Sequence, residues 1–130
     1  LKRHQRKEHL VDELHWKTIH ALLQRNDVLF YGDIQSHGIV RGKKQHTLNQ
    51  QVNNRKYYQF KQRLLFKAGE RGKKIFLVKE HYTTQTCSGC GTLNSPGNSK
   101  LYHCRQCQTT VGRDVNASKN ILMKGMLRCL

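Results

Sequence analysis

The chain has 130 residues, the length of one domain or of part of a larger one, and carries 24 Lys and Arg against 8 Asp and Glu, a formal net charge of +16. Such an excess repels itself in a folded state and suits a polyanionic partner, above all nucleic acid. No apolar run approaches the ~20 residues needed to span a bilayer, so composition gives no membrane role.

The opening "LKRHQRKEHL" has neither an initiator Met nor the apolar centre of a signal peptide, and predicts a piece of a longer protein with its upstream segment missing. Residues 7–26 read as a helix, because Leu10, Val11, Leu14, Ala21, Leu22 and Leu23 recur at three- and four-residue steps with Ile19 alongside. "VLFY", 28–31, is a short continuous apolar run suited to a buried strand. The stretch from Gly32 to about residue 50, with three glycines and a basic cluster, predicts a loop. A second helix is expected over 48–68 on Val52, Tyr57, Phe60, Leu64 and Ala68, stopped by Gly69 and Gly72. "KKIFLVKE", 73–80, predicts a strand with Ile75 to Val78 buried, and "VNASKNILMKGML" a closing helix with Asp114 as its N-cap. Helices alternating with strands around a cysteine module give an α/β fold. The two "RGKK" stretches and the helix between them offer Arg41, Lys43, Lys44, Arg55, Lys56, Lys61 and Arg63 as a patch that tracks phosphates, or as an ordinary solvated face.

Cys87-Ser-Gly-Cys90 and Cys104-Arg-Gln-Cys107 are two CxxC knuckles 13 residues apart. Four thiolates on two short knuckles match the tetrahedral demand of Zn²⁺, and the pattern favours a reducing compartment over disulfides. The "NSPGN" turn between them predicts a small hairpin. His103 is a bystander to a complete shell, Cys129 a free thiol, and a redox CxxC would not need a second pair.

Eight acids allow a complete survey. Glu8, Asp12 and Glu13 read as helix surface, Asp27 as a junction residue and Glu70 as part of a turn. Asp33 and Glu80 each follow a strand run, and Asp114 opens a helix. Carboxylates gathered at strand ends and a helix start are what Mg²⁺ needs for phosphodiester cleavage, where two ions ~4 Å apart activate water and stabilise the leaving oxygen. The same residues also admit a plainer reading, with Asp114 a cap and Glu80 paired to Lys79 or His81.

Taken together, Thr83-Thr84, Cys87, Cys90, Gly91, Cys104, Cys107, Arg113-Asp114, Asn116-Ala117 and Asn120-Ile121 resemble the C-terminal motifs of TnpB, the transposon-encoded RNA-guided nuclease, and of its Fanzor relatives. "ELHWKTIHALLQRNDVLFYGD" is similar to the family's helix leading into its second RuvC strand. The resemblance implies a partial RNase H-like (RuvC) nuclease core over 1–82, an inserted four-cysteine zinc ribbon that binds target nucleic acid over 83–110, and the third RuvC motif with a C-terminal helix over 111–130. It implies structural Zn²⁺ on the four cysteines and catalytic Mg²⁺ on Asp114, with Arg113 beside it at the nucleic acid. Where TnpB proteins carry a glutamate on the second-motif strand, this chain has Gly32. Many Fanzor proteins share that loss and carry a substitute glutamate on the neighbouring strand, the place of Glu80, with Asp33 as runner-up because strand alternation aims it away from the side Gly32 faces.

The function implied is a Mg²⁺-dependent, RNA-guided DNA endonuclease with guide RNA and target DNA as partners, nuclear in a eukaryote and cytoplasmic or nucleoid-bound otherwise. The first-motif aspartate has no counterpart here, so the piece alone is expected not to cut. A non-catalytic zinc-ribbon module that binds nucleic acid is the alternative.

Overall fold

The computed structural model describes residues 2–33 and 48–130, and the side chains of 48–55 lie outside what is described. Chain order is α1 (Lys2–Arg25), β1 (Val28–Asp33), α2 (Leu48–Glu70), β2 (Lys74–Lys79), β3 (Leu101–His103), β4 (Thr110–Gly112) and α3 (Arg113–Cys129). The α/β alternation is as expected. Contacts divide the chain into two compact units, 1–29 with 36–75 and 30–35 with 76–130, so the division falls within β1 and β2. These two strands are hydrogen-bonded neighbours in a two-stranded sheet.

In the first unit α1 packs on α2. The buried line of α1 is His15, Ile19 and Leu23, at four-residue spacing, and that of α2 includes Leu64 and Ala68. Leu10 and Leu14, expected in the stripe, are 58% and 63% exposed. They sit roughly 140° and 100° round the helix from His15, outside the face that α2 covers. His15 takes a core place because its ring meets Phe60 edge-on at 5.1 Å and its Nδ1 accepts from Arg63. α2 runs through Gly69 and stops at Gly72, whose φ of +64° suits a residue without Cβ. The Lys73 N–H then donates to Ala68 O at 2.9 Å, closing the helix end.

The strand runs are less buried than their apolar sequence predicts. Val28 is 44% exposed, and Phe76 and Leu77 are 39% and 42% exposed, while Val78 is fully buried. Among the described residues only two strands form this sheet, too few to cover both faces.

In the second unit β3 and β4 pair antiparallel, Tyr102 opposite Val111, and Tyr102, Cys87 and Cys104 form its buried centre with Val111 against them. The hairpin is closed by the second cysteine knuckle, not by "NSPGN", which makes a separate turn around Gly97. The expected N-cap is also corrected. Gly112 occupies the cap without a side-chain hydrogen bond, and Asp114 lies in the first turn of α3. α3 approaches β1 closely, since a Cβ on Gly125 would overlap the Phe30 ring, itself stacked on Phe76 at 5.4 Å.

Candidate metal centres and nucleic-acid interface

The sulfurs of Cys87, Cys90, Cys104 and Cys107 all lie within 4.8 Å of one another, the one such group of potential ligands among the described residues. Cys87 and Cys107 sulfurs are 3.6 Å apart, as are those of Cys90 and Cys104. A tetrahedron with metal–sulfur arms of ~2.3 Å has edges of about 3.8 Å, so the sulfurs are spaced to hold a metal ion such as zinc. A disulfide, with sulfurs ~2.05 Å apart, does not fit that spacing.

The two knuckles repeat one another. In each, the first cysteine's carbonyl accepts from the residue after the second cysteine, Gly91 N–H at 2.9 Å and Gln108 N–H at 3.0 Å. In each, the first cysteine's N–H donates to a threonine carbonyl, Thr92 at 2.8 Å and Thr109 at 2.9 Å. Gly91 and Gln108 both have positive φ, +79° and +61°, so the knuckle turn demands that conformation even where the residue is not glycine. The backbone N–H groups of Cys107 and then Gln106, aimed at the Cys104 sulfur, hold its thiol down to about 6 against the opposing effect of burial. The Thr109 hydroxyl beside the Cys107 sulfur lowers that thiol too. Burial pushes the Cys87 thiol up to about 11. Thiolates bind a metal ion, so binding releases protons from the four-cysteine group.

Two asparagines clasp α3 to this module. Asn116, fully buried, accepts from Ser88 N–H at 2.9 Å and donates to Thr86 O at 2.8 Å. Asn120 donates to Thr83 O at 2.8 Å and Thr86 O at 2.7 Å. The Thr83 hydroxyl donates to Glu80 O at 2.9 Å, so one chain of bonds runs from α3 through the first knuckle to the end of β2. In the sequence these asparagines read only as motif letters. Their signal is the four-residue spacing, which puts two amides on one helix face.

At the strand ends, a Cβ built on Gly32 would overlap the Glu80 carboxylate, standing 2.8 Å from its Cδ and 2.8 Å from the Ile121 terminal methyl. The Glu80 carboxyl thus fills the space that a side chain at position 32 would need. It is half-buried, and burial first, then the Asp33 charge, raises its pKa above the ordinary carboxylate range. Alternation predicts Asp33 turned away, yet its charge reaches Glu80. Neither Lys79 nor His81 pairs with the Glu80 carboxylate. Asp114 is separate: its side chain is fully exposed, 3.9 Å from Arg113 Nε, and it joins no close group of potential ligands among the described residues.

The proposed phosphate-contacting residues divide. Arg41, Lys43, Lys44 and the Arg55 side chain lie outside the described residues. Lys56 and Arg63 are engaged by α1, Lys56 with Glu8 at 3.3 Å and Arg63 with Asp12 at 2.7 Å. The Arg63 hydrogen bond holds the Asp12 carboxyl below its usual range. Lys61 is half-buried on α2, and Arg113 opens α3 with its N–H donating to Lys100 O at 2.9 Å. Among the described residues no helix is long and apolar enough to cross a membrane.

The family model of the Cas12f1-like TNB domain matches residues 57–121, half of the chain. The chain belongs to the Cas12f1-like TNB family. The matched span contains Glu80, all four knuckle cysteines, Asp114 and both clasping asparagines. The chain is 34% identical over 130 residues to a TnpB-like protein of Acanthamoeba polyphaga mimivirus, an alignment taking in 96% of this chain and 25% of the relative. It is 37% identical over 73 residues to the CRISPR-associated endodeoxyribonuclease Cas12f1 of Sulfoacidibacillus thermotolerans, covering 54% of this chain and 17% of that protein. The TnpB resemblance carried by the motifs therefore holds. The cryo-EM structure of Cas12f1 with sgRNA and target DNA shares the fold at a TM-score of 0.62 and 20% identity, over 92% of this chain and 34% of that one. This TNB-family chain spans about a quarter of the length of the TnpB-like relatives it matches.

Proposed function

We propose that this chain supplies part of a RuvC-like, RNase H-like nuclease core and its zinc ribbon to an RNA-guided, Mg²⁺-dependent DNA endonuclease of the Fanzor/TnpB type. The observation that carries the reading is the Glu80 carboxylate standing where a Gly32 side chain would be. A ligand carboxylate removed from one strand has its place taken from the next. Glu80 suits a divalent cation: it is half-buried, faces the Asp33 charge, and makes no ion pair with a cation among the described residues. Burial and the Asp33 charge both oppose ionisation of Glu80, and a bound cation would offset them.

Asp114 is the second proposed ligand. It lies seven residues before Ile121, whose methyl meets the Gly32 and Glu80 position, hence on the same side of α3 and about 10 Å along it. Bound Mg²⁺ supplies Lewis-acid polarisation of the phosphate and a water of lowered pKa. Glu80 and Asp114 hold their charges in fixed places for it, Glu80 through β2 and the Thr83 contacts, Asp114 through the clasped α3. Zn²⁺ on the four cysteines holds the ribbon folded. Guide RNA and target DNA are the proposed partners, consistent with a charge of +16 and with the sgRNA and target DNA of the Cas12f1 complex.

In the whole protein, Glu80→Ala and Asp114→Ala should each lower guided cleavage at least ~100-fold, the loss expected when several kcal/mol of transition-state charge stabilisation disappear. Guide and target binding should persist. Cleavage that survives both changes would leave a non-catalytic zinc-ribbon module, and loss on Asp33→Ala with Glu80→Ala active would move the ligand to Asp33.

A further inference from the structure

The first unit carries a pocket that the nuclease reading does not use. It lies between α1 and the end of α2, has a volume of about 480 Å³, and is lined by Trp16, Lys17, Ile19, His20, Lys67 and Arg71. That volume is within the range of small-ligand sites. Its floor is apolar and flat: Ile19 is buried, and Trp16, the only tryptophan of the chain, keeps 40% of its surface exposed. The indole is held in place, since the Arg63 guanidinium stands 5.2 Å from its ring centroid and is itself fixed by Asp12 at 2.7 Å and His15 at 3.2 Å.

Charge at the rim is uneven. The first unit has five acids, and every one has a cation: Glu8 with Lys56, Asp12 with Arg63, Glu13 with Lys17, Asp27 with Lys73, Glu70 with Lys67. The rim lysines are thereby neutralised. Arg71 is not, because its guanidinium rests on His20 Nδ1 at 3.0 Å. Arginine can only donate, so His20 is the acceptor there and orients the guanidinium without cancelling its charge. An oriented cation beside an exposed aromatic floor matches a phosphate joined to a flat ring.

We propose that this pocket binds one nucleotide of a single-stranded nucleic acid, the base against Trp16 and Ile19 and the phosphate on Arg71. The site rests on the nucleic-acid reading of the chain but is separate from the carboxylates and the zinc ribbon. A duplex keeps its bases stacked on one another, so it cannot present a free base face to the indole.

Because Trp16 is the sole tryptophan, its emission reports this pocket alone. Titrating the zinc-loaded 130-residue chain with a single-stranded oligothymidylate of about ten nucleotides, within the span of a single-strand binding site, should quench that emission, and a duplex of equal length should not. Arg71→Gln should abolish the quench at the same oligonucleotide concentration. In anisotropy with a labelled oligonucleotide, Trp16→Ala should weaken binding about tenfold, and Trp16→Phe should restore most of it, as expected for base stacking. Binding by anisotropy with unchanged Trp16 emission, or a quench untouched by Arg71→Gln, would overturn the proposal. Loss of the nuclease reading would show differently, as full cleavage by Glu80→Ala, and would leave the quench intact.

Discussion

At the scale of single residues, Gly32 and Glu80 explain one another. Two carboxylate-bearing side chains cannot share the space, so the glycine is required by the glutamate's position. The glycine at 32 and the acid at Glu80 are legible in the sequence. Their physical overlap is not, because it depends on how two segments far apart in sequence are set side by side. The influence of Asp33 escapes the sequence for a related reason: alternation describes which face a side chain leaves from, while a charge acts through several ångströms whichever way it points. Glu80 carries a pH consequence. Its pKa is raised in the fold, so its neutral form favours the folded state at low pH, and that contribution is lost as pH rises through the folded value. Without divalent ions, Glu80→Gln should therefore raise the melting temperature at about pH 7 and change it little near pH ~4, as read by thermal denaturation.

At the scale of elements, the cysteine spacing is fully legible, because four ligands of one metal constrain sequence directly. The hairpin turn is not where the sequence points, since "NSPGN" has strong turn chemistry while the chain in fact reverses through the Cys104–Cys107 knuckle. Local turn propensity loses to the geometry of the ligand cage. The predicted helix stripe is too broad, with Leu10 and Leu14 included, because a chain rich in leucine offers more apolar positions than α2 can cover. The clasp of Asn116 and Asn120 makes α3 depend on the first knuckle. Asn116→Ala removes two bonds and leaves the Ser88 N–H short of a partner, while Thr86 O keeps its bond from Asn120; the change should cost about 1–3 kcal/mol. Chemical denaturation of the metal-loaded chain checks this, and Asn116→Asp should not rescue it, since a fully buried carboxylate would then face the Thr86 carbonyl with no donor between them. Removing the metal with a chelator should release amide-exchange protection first across the two knuckles and their hairpin, where binding of such an ion is worth on the order of 10 kcal/mol, and then along α3. Protection in α3 that outlasts the knuckles would contradict the clasp.

At the scale of the whole molecule, the charge excess and the absence of a spanning helix among the described residues are plain from composition, and the family follows from a few motif letters. What composition does not disclose is how the charge is spent. Lys56 and Arg63 look like phosphate contacts in sequence, yet they are engaged by the few acids of α1, and the cation left uncancelled in the first unit's pocket is Arg71. Pairing of this kind is set by helix packing, which sequence periodicity gives only roughly. The central claim remains that Glu80 substitutes for a carboxylate at position 32, and exchanging the two positions tests it most directly. In the whole protein, Glu80→Gly should abolish guided cleavage, and adding Gly32→Glu or Gly32→Asp should restore it to within about tenfold of the parent, read as a transition-state free energy. The Ile121 methyl must shift slightly to admit the new side chain. Gly32→Gln with Glu80→Gly should stay inactive, showing that charge rather than bulk is restored. Failure of both acidic exchanges in a protein that still folds and binds its guide would contradict the account.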